Sequence, residues 1–130
     1  MKQPKLIAYR VTDLSFVNHL ESGTQLKLTN KYAYNVRYSP NSNCIGEFTV
    51  DVCDASHSEQ FAIHAALSGV FQYDPEQPRE ETHVQTFEAL FPYARALVTT
   101  ITANAGIPPI ILPAIDPTSQ SIYRIDRNPK

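Results

Sequence analysis

Every second position from Phe61 to Tyr73 is apolar or glycine: Phe61, Ile63, Ala65, Leu67, Gly69, Phe71 and Tyr73. Alternate side chains of an extended chain point to opposite faces, so this run reads as one long strand with a single apolar face. Such a strand is stable only inside a sheet whose apolar face is covered. Other stretches supply the sheet. Tyr32, Tyr34, Val36 and Tyr38 alternate with Lys31, Ala33, Asn35 and Arg37, and Ser39-Pro40-Asn41-Ser42-Asn43 turns the chain. Phe48, Val50 and Val52 alternate with Glu47, Thr49, Asp51 and Cys53, and the polar cluster 54–59 reads as a hairpin turn. Residues 6–17 are strand-like but alternate less cleanly, and Leu26 and Leu28 flank Lys27 in a shorter extended piece.

The period changes after the polar, proline-bearing loop 74–81. From Thr82 the spacing is helical, with Val84, Phe87, Phe91, Ala94, Val98, Ile101 and Ala105 forming one stripe. Proline breaks a helix interior but fits a first turn, so Pro92 predicts a short helix, a kink near Leu90-Phe91 and a main helix from Pro92 to about Asn104. Gly106 can supply a left-handed cap, and Pro108-Pro109 forbid continuation. Antiparallel strands followed by a helix give an α+β fold with the helix on one face of the sheet. The residues after Ile110, with Pro113, Pro117 and Pro129, form a short tail.

Apolar residues make up 42% of the chain and charged residues 18%, a globular rather than a disordered balance. One domain over residues 1–130 is expected. The net charge of −2 gives no basic patch for nucleic acid or anionic lipid. No apolar run reaches the roughly 20 residues of a membrane span, and no signal peptide is read, so the cytoplasm is the expected compartment. Cys44 and Cys53 are then expected as reduced structural thiols.

The chain carries no Walker loop, GxGxxG, GxSxG elbow or CxxC, and its four histidines show no HxH or HExxH spacing. His57 and His64 flank one hairpin with Glu59 nearby, and Asp51, Asp54 and Glu47 stand close in sequence. Both groups read better as surface charge than as a metal site or an acid pair. No enzyme, cofactor or metal is expected. Seven tyrosines and six phenylalanines are a large aromatic load for this length, and part of it can line a binding surface or a subunit contact.

Leu90-Phe91-Pro92-Tyr93-Ala94-Arg95 resembles the LFPYAR motif of the SecB protein-export chaperones. Asp13-Leu14-Ser15-Phe16 resembles that family's first-strand DISF, Gly69-Val70-Phe71 its GGIF, Gly106-Ile107-Pro108 its helix-ending segment, and residues 111–116 its LNLAPVNF stretch. Order and spacing agree over roughly residues 7–123. The resemblance implies a four-stranded antiparallel sheet with a long kinked helix packed on one face. It also implies a chaperone that holds unfolded preproteins in apolar grooves and delivers them to the motor SecA. Phe16, Leu26, Leu28, Tyr32, Tyr34, Val36 and Tyr38 are the implied peptide-binding residues. Phe91, Tyr93, Arg95, Val98 and Ile101, on a helix with several alanines, are the implied contacts of a homotetramer built as a dimer of dimers.

Two departures bear on this expectation. Asp13 matches an acid used for SecA docking, but Val17 stands at the second such position, and Ala62 and His64 stand where a leucine and an acid fall in the family. The family's long C-terminal helix and acidic tail are missing, and Arg124, Arg127 and Lys130 make this tail basic. Three readings follow: a general holdase in export, a SecB-like chaperone dedicated to one partner such as an antitoxin, and a structural or ligand-binding subunit on the same fold.

Overall fold

A computed structural model describes residues 3–21, 23–24, 27–56 and 59–113. Four strands, β1 (Lys5–Asn18), β2 (Leu28–Ser39), β3 (Asn43–Asp54) and β4 (Phe61–Gln72), precede one helix, α1 (Arg79–Asn104). The strands pair antiparallel in the order β1-β4-β3-β2, so β1 and β2 are the edges. β3 and β4 obey strict alternation, each buried position followed by a half-exposed one, apart from the exposed Val70 and Gln72 at the end of β4. Their apolar faces meet α1, and Phe48, Val50, Val52, Phe61, Ile63, Leu67 and Phe71 are fully enclosed there. Burying one such side chain stabilises by roughly 1.5–3 kcal/mol.

β1 alternates poorly for a specific reason. Its register against β4 shifts between Leu6 and Ala8 and again between Val11 and Asp13. Each bulge inserts one residue and inverts which positions face the helix. The β2–β3 hairpin turns through Asn41 and Ser42, both with positive φ. Asparagine tolerates that region better than most residues.

The expected division of the helix at Pro92 is absent. α1 runs unbroken for 26 residues with Pro92 inside it, on an exposed position. Proline removes one amide donor, but tertiary packing on both sides of Pro92 holds the helix together: Leu90, Phe91, Ala94 and Val98 are all buried. The buried stripe also differs from the expected one. It comprises Thr82, Thr86, Phe87, Leu90, Phe91, Ala94, Val98 and Thr102, whereas Val84 and Ile101 are half-buried and Ala105 is exposed. Three threonines can face the core because their hydroxyls are satisfied locally. Thr86 Oγ1 donates to Thr82 O at 2.8 Å and Thr102 Oγ1 to Val98 O at 2.9 Å.

The helix stops where Gly106 predicts. Gly106 has φ +83°, its N–H donates to Ala103 O, and Ile107 N donates to Thr102 O. This is the paired bonding of a Schellman cap. The chain then returns along the helix. Thr99 Oγ1 donates to Ile110 O and Ile110 N to Thr102 Oγ1, both at 2.8 Å, and Arg95 Nε donates to Leu112 O at 3.2 Å. Leu112 is completely buried by this return.

Candidate functional site

Two irregular segments converge at one end of the sheet: the crossover between β1 and β2, and the post-helix return. Between them lies a cleft of about 560 Å³. Leu20, Leu28, Phe61, Ile107, Pro108, Pro109 and Ile110 supply apolar walls, and Asn18, Glu21 and Thr24 supply polar edges. The return segment is a firm wall because side-chain hydroxyls hold its backbone to the helix. Apolar contact is non-directional, so a cleft of this composition accepts extended chain with little sequence preference.

Of the expected peptide-binding residues, Leu28 lines the cleft. Phe16 stands beside it, edge-on to Phe61 at 5.8 Å. Leu26 lies outside the described residues. The β2 residues sit elsewhere, under α1. Tyr34 is only 3% exposed, ringed by Phe48, Phe87 and His83, and its hydroxyl donates to Thr86 Oγ1 at 2.5 Å. Tyr34 is therefore a core residue and offers no surface to a client. Burial pushes its phenol well above the ordinary range. Tyr32 stacks on Phe48 and meets Phe91 edge-on, and its hydroxyl is buried without a hydrogen-bond partner. Burial raises that phenol, against a lowering pull from Arg95. Val36 is half-buried against the core. Tyr38 is half-buried beneath the Arg79 guanidinium, 4.1 Å from its ring centre; burial raises its phenol too, with Arg79 pulling the other way.

The expected oligomer residues divide in the same way. Phe91 and Val98 belong to the core of the single chain, so neither presents a surface to a second copy. Arg95 is half-buried, bonded to Leu112 O and placed over the Phe91 ring. Ile101 is half-buried. Tyr93 alone is well exposed, and its ring lies tilted by 31° against Tyr9 with ring centres 4.4 Å apart. Tyr9 belongs to an apolar strip that residue spacing did not disclose. Tyr9, Val11 and Leu14 of β1 lie on the helix side of the sheet by register, yet each is at least 40% exposed because α1 does not cover this edge.

Asp13 occupies the other face of the sheet. Its Oδ2 lies 3.4 Å from His64 Nε2, and His64 Nδ1 lies 2.6 Å from Asp51 Oδ1. Nearby, Arg37 bonds Glu47 at 2.9 Å. Of the sequence-weighed histidines, His57 lies outside the described residues. Among the described residues no group of three side chains is arranged to hold a metal, and no helix is long and apolar enough to cross a membrane.

A sheet of order β1-β4-β3-β2, backed on one face by the one long helix among the described residues and ending in an apolar cleft, defines an α+β fold with a single-layer sheet and one covered face. Comparison with known proteins places it more closely. The family model described as preprotein translocase subunit SecB matches residues 6–127, and the chain belongs to the SecB family of chaperones. An uncharacterised protein of Methanocaldococcus jannaschii is 32% identical over 123 residues, covering 86% of this chain and 78% of that protein. The protein-export protein SecB of Rhodopseudomonas palustris is 26% identical over 125 residues, covering 88% and 79%. Among solved structures, a SecB-like chaperone of Mycobacterium tuberculosis, in complex with a peptide from the HigA1 antitoxin, superposes with a TM-score of 0.68 at 17% identity over 88% of each chain. That likeness establishes the fold. The chain is accordingly a molecular chaperone of the SecB type, with polypeptides as its clients.

Proposed function

We propose that the protein holds extended, non-native segments of client chains in the cleft between the crossover and the post-helix return. The observation that carries this reading is the apolar lining of that cleft, built from Leu20, Leu28, Phe61, Ile107 and Ile110 around a polar rim. The protein acts as one unit over residues 1–130 in the cytoplasm, without catalysis.

Assembly follows from β1. This edge strand presents unpaired backbone groups along 14 residues beside the exposed strip of Tyr9, Val11, Leu14 and Tyr93. Long apolar edges invite pairing with another chain. A second copy pairing β1 against β1 satisfies both edges by two-fold symmetry and covers both strips. Two such dimers give the homotetramer.

A dedicated client is the second reading, supported by the ion pairing of Asp13. An acid held by His64 is a poor docking group for a motor protein, which weakens the route to SecA. The M. tuberculosis SecB-like chaperone was solved in complex with an antitoxin peptide, which supports a dedicated client as the alternative for this chain.

The test is suppression of light scattering by an unfolding client. Wild type is expected to suppress it, and Leu20→Ser with Ile110→Ser to lose most of the effect while retaining the fold by circular dichroism. No suppression by wild type at several-fold excess would sink the reading. Capture from the native host separates many clients from one stoichiometric partner. A solution mass near four times 14.6 kDa supports the tetramer, and a monomer removes it.

A further inference from the structure

The chain's own return after α1 is held as a foreign extended peptide would be. Ile110 N donates to Thr102 Oγ1 and Ile110 O accepts from Thr99 Oγ1, both at 2.8 Å, and Leu112 O accepts from Arg95 Nε at 3.2 Å. All three bonds reach main-chain atoms of the return, so they would fit any sequence. From Thr102 to Arg95 the helix advances about 10 Å, at about 1.5 Å per residue. Ile110 to Leu112 covers that distance only when extended, at about 3.3 Å per residue. Side chains add the anchors. Leu112 is completely buried and Ile110 half-buried against the core, whereas Ile111 between them is 69% exposed. Main-chain bonds with alternate side chains in pockets are how an extended chain docks in a groove. The attachment is also local. Ile107 N donates to Thr102 O, but beyond it the described return makes no bond to other main chain. Pro108, Pro109 and Pro113 have no amide to offer, and Gly106, at φ +83°, stands at the pivot. The front of this segment, from Gly106 to Ile110, also walls the cleft, so the cleft runs directly on to these helix contacts.

We infer that residues 110–112 are a displaceable internal ligand. They occupy a rail of Arg95, Thr99 and Thr102 that reads main chain, with the Leu112 slot as its anchor, and an extended client segment bearing a leucine-sized apolar side chain takes their place. The inference rests on client holding in the cleft and extends that site along α1. In the free chain the covalent tether keeps the internal segment at high effective concentration, which excludes short peptides. A long client already held in the cleft is itself tethered beside the rail and competes on similar terms. The internal ligand thus selects for clients long enough to fill both.

The experiment uses isotope-labelled full-length protein and two probes: a peptide with the sequence of residues 107–113, and a long, reduced and carboxymethylated unfolded protein. Because the Ile110 amide is bonded to Thr102 Oγ1, its hydrogen exchange reads displacement directly. The unfolded protein is expected to speed that exchange in wild type by about tenfold. The peptide should leave wild type unchanged but shift the amide resonances of Thr99 and Thr102 in Leu112→Ser, which lacks the internal anchor. Serine in place of leucine in the peptide should abolish those shifts. Adding Thr99→Val to Leu112→Ser removes one donor of the rail and should weaken the peptide about fivefold. Should Leu112→Ser lose the wild-type circular dichroism, Leu112→Ala replaces it, and exchange at Ile110 needs no variant. An unfolded protein that shifts Leu20 and Leu28 while Ile110 keeps its protection overturns the inference and leaves client holding intact. One that shifts neither overturns client holding, and displacement with it. A peptide that binds wild type as well as Leu112→Ser, or binds neither, also overturns the inference.

Discussion

Gly46 offers a quantitative test of how the core is assembled. An alanine Cβ at this position would overlap the Tyr34 hydroxyl oxygen and stand 3.1 Å and 3.2 Å from two ring carbons. Tyr34 cannot swing aside, since Phe48, Phe87 and His83 surround its ring and Thr86 holds its hydroxyl. Gly46→Ala is therefore expected near the upper end of the overpacking range, about 3 kcal/mol destabilising. Tyr34→Phe alone loses one hydrogen bond, but Thr86 Oγ1 keeps its bond to Thr82 O, so about 1 kcal/mol is expected. In the double variant the overlapping atom is gone and only mild ring compression remains, giving about 2 kcal/mol in place of an additive 4. The assay is the urea midpoint at one fixed protein concentration, because self-association makes stability depend on concentration. A Gly46→Ala variant within about 0.5 kcal/mol of wild type, or strict additivity in the double variant, would refute the reasoning.

Two further outcomes are expected. Tyr32→Phe deletes a buried hydroxyl that has no partner, so it should stabilise the chain by about 1 kcal/mol, and a loss of stability in the same urea experiment would contradict the geometry. Burial pushes the Cys44 thiol from its ordinary 9.0 up to about 11, so Cys44 should react with a thiol reagent far more slowly than the half-buried Cys53. Because the folded value is raised, the stabilisation is complete below the unfolded value and is lost as pH climbs toward about 11. Wild type should accordingly lose stability more steeply than Cys44→Ala over that window, and parallel curves would remove the effect.

The strands β3 and β4 were legible because a period of two is unambiguous when one face is completely buried. The end of α1 was legible because only a left-handed residue followed by prolines closes a helix so sharply. Pro92 misled in the other direction, since local propensity is outweighed where both flanking turns pack on a sheet. The helix stripe was misplaced because it was drawn through apolar residues alone, and nothing local reveals that Thr86 and Thr102 satisfy their hydroxyls by bonding back to the helix. The aromatic row of β2 was recognised as one face, but sequence does not say whether such a face meets a helix or a client. Close helix approach decides it: Gly69 lets Leu90 seat directly on the sheet, where an added Cβ would lie 2.8 Å from Leu90 Cδ2. The cleft itself escaped because its second wall is a proline-containing return held by side-chain bonds, which have no periodic signature.

The same irregularity that obscured β1 distributes its functions. Leu6, Tyr9, Val11 and Leu14 face the helix side, whereas Ala8, Arg10 and Asp13 face the open side. Strict alternation from Val11 would send Asp13 beneath the helix side and Leu14 out to the open face. That arrangement would put an unpaired carboxylate into the apolar strip and a leucine among the ion pairs. The bulge at Thr12, whose hydroxyl donates to Ala66 O, inverts the parity at this point. It delivers Asp13 to His64 and returns Leu14 to the strip beside Tyr9 and Val11. One inserted residue thus lets a single edge strand carry an apolar strip on one face and a charged row on the other. The two sets of side chains can then vary independently, because they are separated by the full thickness of the sheet.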